Sequence, residues 1–171
     1  VTDGPSFAWD PAFTSDGQSL IFNRDAGTRP SYEPRLFRQS LSGGPEAQLS
    51  DDEGGQPAVS STGLLLYTHP GSGPIGNRLI VMRLDGGGRH AVDRYDSPFA
   101  DLSATLSPDG RSIAYLRSWK KNGSTVNVRC SIHTIAVDGG ERRKVIGGLG
   151  SSARHAPFGG PTPAGPVWVP W

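Results

Sequence analysis

Ser107-Pro108-Asp109-Gly110-Arg111-Ser112-Ile113-Ala114-Tyr115 joins a tight turn to an apolar run too short for a helix. Glycine takes positive φ without steric cost, and aspartate bonds its own backbone, so Asp-Gly closes a corner. The run behind it reads as a strand buried on both faces. Turn and run together predict a β-hairpin.

The phrase recurs as Pro11-Ala12-Phe13-Thr14-Ser15-Asp16-Gly17 and as Pro57-Ala58-Val59-Ser60-Ser61-Thr62-Gly63, and it begins again at Pro161-Thr162-Pro163-Ala164-Gly165. The closing glycines Gly17, Gly63, Gly110 and Gly165 are spaced by 46, 47 and 55 residues. Propeller blades repeat at about 40–50 residues. Behind each corner lies an apolar run: Leu20-Ile21-Phe22, Leu64 to Tyr67, and Ile113 to Leu116. Second runs at Arg35–Leu41, Arg78–Leu84 and Val128–Val137 end in further glycine turns, and short segments such as Glu46–Leu49 or Arg142–Ile146 follow. Each repeat therefore predicts four strands, A to D, joined as an antiparallel meander. No apolar set recurs at helical spacing, and 24 Gly with 15 Pro would break most helices.

A four-stranded sheet of this size cannot bury both faces alone, so neighbouring repeats must stack on it, and radial stacking leaves only short protected edges. The expected fold is an all-β propeller with about three and a half blades: 7–50, 54–92, 99–146 and an incomplete fourth at 155–171. The pattern of Pro, an apolar residue, Ser-Pro-Asp-Gly, an apolar strand, a second strand and Asp-Gly-Gly resembles the PD40 (WD40-like) repeat of TolB-like β-propellers, over roughly residues 7 to 146. That resemblance implies a bacterial, periplasmic or extracytoplasmic module with a protein or peptide partner. The same repeats occur in the propellers of prolyl-oligopeptidase-like enzymes. Ser61-Thr62 departs from the pattern, which has Pro-Asp there.

Val1-Thr2-Asp3 aligns with Leu49-Ser50-Asp51, the exit from a D strand, and the sequence stops at Val167–Trp171, where a B strand should start. The expectation is a fragment of a longer propeller. A net charge of +1 gives no electrostatic footprint for nucleic acid or an anionic membrane. No stretch has the length and apolarity of a membrane span. The single Cys130 excludes an internal disulfide and reads as a structural thiol.

Meander geometry puts the A–B and C–D turns on one face of the disc and the B–C loops and D–A connectors on the other. The extra length lies on the second face: 24–34, 68–77 and 117–127, with connectors 51–55 and 93–102. Insertions confined to one face of a repeat protein mark its binding face. Candidate contacts in these loops are Arg24, Tyr32, Asp51, Asp52, Glu53, Trp119 and Lys120. Trp119 and Tyr32 each fit two roles, an interface anchor or local core over the blade top. Counting back seven from each corner glycine gives Asp10, Gln56 and Ser103 at the channel mouth, with Asp101 nearby. These residues either hydrate the channel and cap strand ends or, with the 51–53 cluster, hold a ligand, peptide or cation.

The run Asp51-Asp52-Glu53 lacks the spaced carboxylates that wrap Ca²⁺ and reads as a solvated acidic turn. His69, His90, His133 and His155 include no pair at metal-ligand spacing, and the register of His133 makes it a core position. Gly71-Ser72-Gly73-Pro74-Ile75-Gly76 matches a dinucleotide fingerprint only formally, since Pro interrupts it and a strand follows. No nucleophile elbow, phosphate loop or zinc-protease signature is present. The expectation is a non-catalytic binding module with no cofactor and no bound metal. The rival is a propeller gating a prolyl-oligopeptidase-like serine hydrolase whose catalytic domain lies outside this sequence. A propeller lyase using channel residues would instead need a cluster of His, Arg and carboxylates at the channel centre.

Overall fold

In runs such as Ser19-Leu20-Ile21-Phe22-Asn23 and Leu64-Leu65-Leu66-Tyr67-Thr68, successive side chains point to opposite faces, so both faces are apolar and both must be covered. A computed structural model describes residues 7–25, 33–70, 77–92, 99–120 and 128–150, and shows how they are covered. Twelve strands form three four-stranded antiparallel sheets, each a meander in chain order. Blade I holds β1 (Ala8–Phe13), β2 (Ser19–Asp25), β3 (Pro34–Ser40) and β4 (Ala47–Gln48). Blade II holds β5 (Gly55–Val59), β6 (Leu64–Pro70), β7 (Asn77–Arg83) and β8 (His90–Ala91). Blade III holds β9 (Phe99–Leu106), β10 (Ser112–Lys120), β11 (Val128–Ala136) and β12 (Arg143–Gly150). No helix occurs among the described residues, and so none long and apolar enough to cross a membrane. The sketched fourth repeat lies outside them.

Blade II divides its side chains between two cores. Leu65, Tyr67, Ile80 and Met82 pack with Ile21 and Leu36 of blade I. Leu66, Leu79, Val81 and Val92 pack with Ala104, Leu106, Ile113, Tyr115 and Ile135 of blade III. Neighbouring residues of one strand thus serve different interfaces, which is the arrangement of stacked propeller blades. The first strands of successive blades adjoin, β1 against β5 and β5 against β9, and so line the inner side of the stack. Each fully buried Leu or Ile in these seams contributes about 1.5–3 kcal/mol of transfer free energy. In blade I the row equivalent to Leu65 and Tyr67 is Leu20 and Phe22. Phe22 stacks on Phe37 at 6.3 Å between ring centroids, while Phe13 of the same sheet is 64% exposed.

The A–B corners are fastened by their own side chains. The Asp109 carboxylate accepts from Ser107 Oγ (2.6 Å) and Arg111 N–H (3.1 Å), and Ser107 Oγ accepts from Ser112 N–H (2.9 Å). Thr14, Asp16, Gln18 and Ser19 repeat this network in blade I. These bonds hold the Asp16 and Asp109 carboxyls below the usual aspartate range, the neighbouring hydroxyl being the largest cause in each. At the departure from the repeat in blade II, Thr62 Oγ1 takes the carboxylate's place beside Ser60 Oγ (2.9 Å). That corner is one residue shorter: Ser60 N–H bonds to Leu64 O, where Thr14 reaches Ser19 and Ser107 reaches Ser112.

Candidate interaction face and channel mouth

Asp10, Gln56 and Ser103 fall at equivalent places on the three inner strands, and they are the non-glycine residues with left-handed backbones among the described residues (φ 51°, 53° and 48°). Each sits in a bulge. Three steps along the first strand match two along the second, from Trp9 to Ala12, Gly55 to Ala58 and Leu102 to Thr105. A bulge leaves one residue unpaired and turns it away from the ladder. The freed groups bridge the blades in series. Gln56 N–H donates to the half-buried Asp10 carboxylate, and Ser103 N–H donates to Gln56 Oε1 at 3.0 Å. Asn23, 1% exposed, braces the first step: with its amide oriented to suit its partners, its oxygen accepts from Trp9 Nε1 and Gln56 N–H, both at 3.2 Å. Burial raises the Asp10 pKa, partly offset by the Gln56 N–H.

A second row lies one strand outward. Arg24, His69 and Arg117 occupy the same register of β2, β6 and β10, five residues beyond Ser19, Leu64 and Ser112, and each meets a carboxylate. Arg24 pairs with Glu46 and lies 5.4 Å over the Phe37 ring. His69 Nε2 is 3.4 Å from Asp52 Oδ2, and Asp52 also pairs with Arg89, whose Nε donates to Tyr67 Oη at 2.9 Å. Asp52 and the buried Tyr67 thereby tie the 51–54 connector to blade II. A Cβ on Gly54 would stand 2.9 Å from the Tyr67 ring, so the connector fits only as glycine there. Burial pushes the Tyr67 hydroxyl pKa up, with Arg89 opposing. Arg117 Nε lies 3.7 Å from Asp101 Oδ1, with both side chains almost wholly buried. The Arg117 guanidinium stacks 4.3 Å over Phe99, which meets Trp119 edge-on at 6.2 Å.

Several residues expected in loops are in strands. Arg24 belongs to β2, Asp101 to β9, and Trp119 to β10, where it is paired with Phe99 on one side and Arg129 on the other. The B strands run further than their apolar cores because both neighbours extend with them, so polar residues continue the ladder. Asp101 is thus buried in the seam between blades II and III rather than solvated. Trp119 is half-buried over the top of its blade. Asp51 and Glu53 are exposed, while Asp52 is half-buried and ion-paired. Lys120 closes the backbone of β10, and Tyr32 lies outside the described residues.

His133 is a seam residue, as its register implied: its ring stacks on Tyr115 at 5.8 Å and Nε2 bonds Ser131 Oγ at 2.8 Å. Burial lowers its pKa, helped by Arg117, Lys144 and Arg142. Burial likewise raises the Cys130 thiol pKa. Among the described residues no three His, Cys, Asp or Glu side chains gather to hold a metal.

No protein-family profile and no curated protein matches the chain. Solved structures do match in fold. A protein described as TolB from Agrobacterium tumefaciens shares 17% identity at a TM-score of 0.63, over 89% of this chain and 53% of its own. Oligogalacturonate lyase from Vibrio parahaemolyticus shares 14% at 0.62, over 84% and 41%. The β-propeller domain of the Trilobed protease from Pyrococcus furiosus shares 10% at 0.60, over 82% and 43%. The chain spans about half or less of the length of these structures. Identities this low show the fold alone: the chain is a partial β-propeller of the kind found in TolB and in peptidase propeller domains.

Proposed function

We propose that this chain belongs to a TolB-like propeller that acts as a non-catalytic binding or scaffold module in an extracytoplasmic setting, with a protein or peptide partner. The observation carrying this reading is the asymmetry of the two ends of the sheets. One end is closed by short corners whose hydroxyls and carboxylates are engaged within the corner or with the next one. At the other end the second strand of each blade finishes and the third starts, and the 51–54 connector lies there, with Asp51 and Glu53 exposed and Trp119 half-buried against Phe99. Rigid blades would present these groups at a fixed spacing, which lowers the entropic cost of binding. The likeness to TolB in fold supports the extracytoplasmic setting.

The test is a phage-displayed peptide library panned on the immobilised protein, followed by calorimetric titration of a recovered peptide. Trp119→Ala or a paired Asp51→Asn, Glu53→Gln change should weaken binding at least tenfold, while Ser15→Ala and Ser42→Ala on the opposite face leave it unchanged. Failure to recover any peptide, or loss of binding only through the opposite face, would overturn the reading. A second reading is favoured by the likeness to an acylaminoacyl peptidase from Pyrococcus horikoshii (10% identity, TM-score 0.61, 81% of this chain and 25% of that one). In that reading the propeller gates a serine hydrolase domain on the same polypeptide, and a nucleophile elbow in the parent reading frame would decide for it.

A further inference from the structure

We infer that His90 is a proton-operated latch between blades II and III, one that tightens as the solution becomes more acid. His90 opens β8, the outer strand of blade II. Its Nδ1 lies 2.8 Å from Gly88 O in its own blade, and its Nε2 lies 3.0 Å from Val137 O of blade III. Both partners are carbonyls and can only accept. A neutral imidazole has one N–H, so in either tautomer one carbonyl faces a nitrogen lone pair; the imidazolium has two and satisfies both.

The seam is closely fitted at this point. Gly139, in the turn after β11, has φ +88°, and a Cβ there would stand 2.5 Å from Val92 O at the end of blade II. The blade III turn is therefore held against β8 rather than floating near it. The charged group acting on His90 from blade III is Asp138, which favours the cation. On the blade II side, Arg89 turns away to Asp52 and Tyr67, and Arg83 and Asp85 close on each other in the turn after β7.

The pKa of His90 is accordingly raised above its ordinary 6.5, by the Gly88 carbonyl first and the Val137 carbonyl second, with burial opposing. A group with a raised folded-state pKa adds stability that is complete below the unfolded value and lost as pH rises through the folded one. The latch is thus fully closed below about 6.5 and loosens above it. His133 works in the opposite sense, because its lowered pKa favours the folded state above 6.5. A comparison of two proteins that both retain His133 cancels that contribution.

The experiment is an NMR titration of the ¹⁵N-labelled imidazoles, paired with urea unfolding of the wild type and His90→Gln at pH 5.5 and 8.5. The expected His90 midpoint lies above 6.5, with both ring nitrogens protonated in acid. The folding constant of the wild type relative to the variant should fall from pH 5.5 to 8.5, by the factor that separates the folded from the unfolded acid constant read in the titration. Gly139→Ala, which forces the blade III turn off β8, should lower the midpoint. A wild-type midpoint at or below 6.5 overturns the latch, and this arm stands even if His90→Gln does not fold. A pH-independent ratio, or a midpoint unmoved by Gly139→Ala, overturns it as well.

Discussion

Replacing Gly110 by alanine, beside the same change at Gly17, isolates one contact between blades. The two glycines have the same backbone, φ +70° and +68°, at equivalent corners of blades III and I. Any alanine in that left-handed conformation costs roughly 1–2 kcal/mol, and this cost is common to both. Their surroundings differ. A Cβ at Gly17 meets nothing within 4 Å, whereas one at Gly110 would stand 2.4 Å from Thr62 Oγ1 and 3.3 Å from Ser60 Oγ of blade II. Thr62 must then swing away and give up its 2.9 Å bond to Ser60, at a cost of about 1 kcal/mol. The adjoining contact of Ser61 Oγ with the Pro108 carbonyl is disturbed with it. We expect Gly17→Ala to destabilise by about 1–2 kcal/mol and Gly110→Ala by about 1 kcal/mol more. Urea midpoints followed by tryptophan fluorescence measure both, and unchanged slopes confirm a change in stability alone. Removing the obstacle with Thr62→Ala should make the Gly110→Ala penalty smaller, a coupling read from the double-mutant cycle. Equal penalties at the two glycines, or strictly additive effects of Gly110→Ala and Thr62→Ala, would show that the corners of blades II and III do not meet.

Three further outcomes follow from the seams. Arg117→Ala removes the cation beside the buried Asp101 and the plate over Phe99, and should cost about 3 kcal/mol in urea unfolding. Gln56→Ala leaves the strained backbone in place but orphans the Ser103 N–H, so a loss of about 1–3 kcal/mol is expected, with amide exchange at Ser103 accelerated. Asp10→Asn tests the burial that raises the Asp10 pKa: the wild type should gain stability as pH falls through that raised value toward 3.8, and the variant should lack this gain. Thermal unfolding at pH 3 and 7 distinguishes the two.

What could be read from the residues was whatever the backbone enforces locally. Asp-Gly corners, apolar runs of strand length and the recurrence near 46 residues lead to four-stranded repeats, and the chain forms them. The extent of the strands was less legible. Arg24, Asp101 and Trp119 look like loop residues because they are charged or lie in polar surroundings, yet strand pairing carries the ladder through them, burying Asp101 and leaving Arg24 and Trp119 half-buried. The row of Arg24, His69 and Arg117 was hidden by counting from the glycines. The blade II corner lacks one residue after Gly63, so that count places Pro70, not His69, opposite the two arginines. A count from the first strand residue recovers the row. The positions of Asp10, Gln56 and Ser103 were legible because they precede the corners. Their bulged backbones were not, because only the mismatch in strand pairing reveals them. The same geometry gives the Asp10 and Gln56 side chains a definite task, bridging each blade to the next along the adjoining first strands.

The most direct measurement is a set of NOE contacts from methyl-labelled protein. If the three sheets stack as blades, the Leu66 and Val81 methyls will show contacts to Ile113 and Ile135, while Leu65, Ile80 and Met82, on the other face of the same strands, will show contacts to Ile21 and Leu36. Contacts from both faces of blade II to one neighbour, or from neither face to any other sheet, would contradict the propeller stack and remove the interaction face with it.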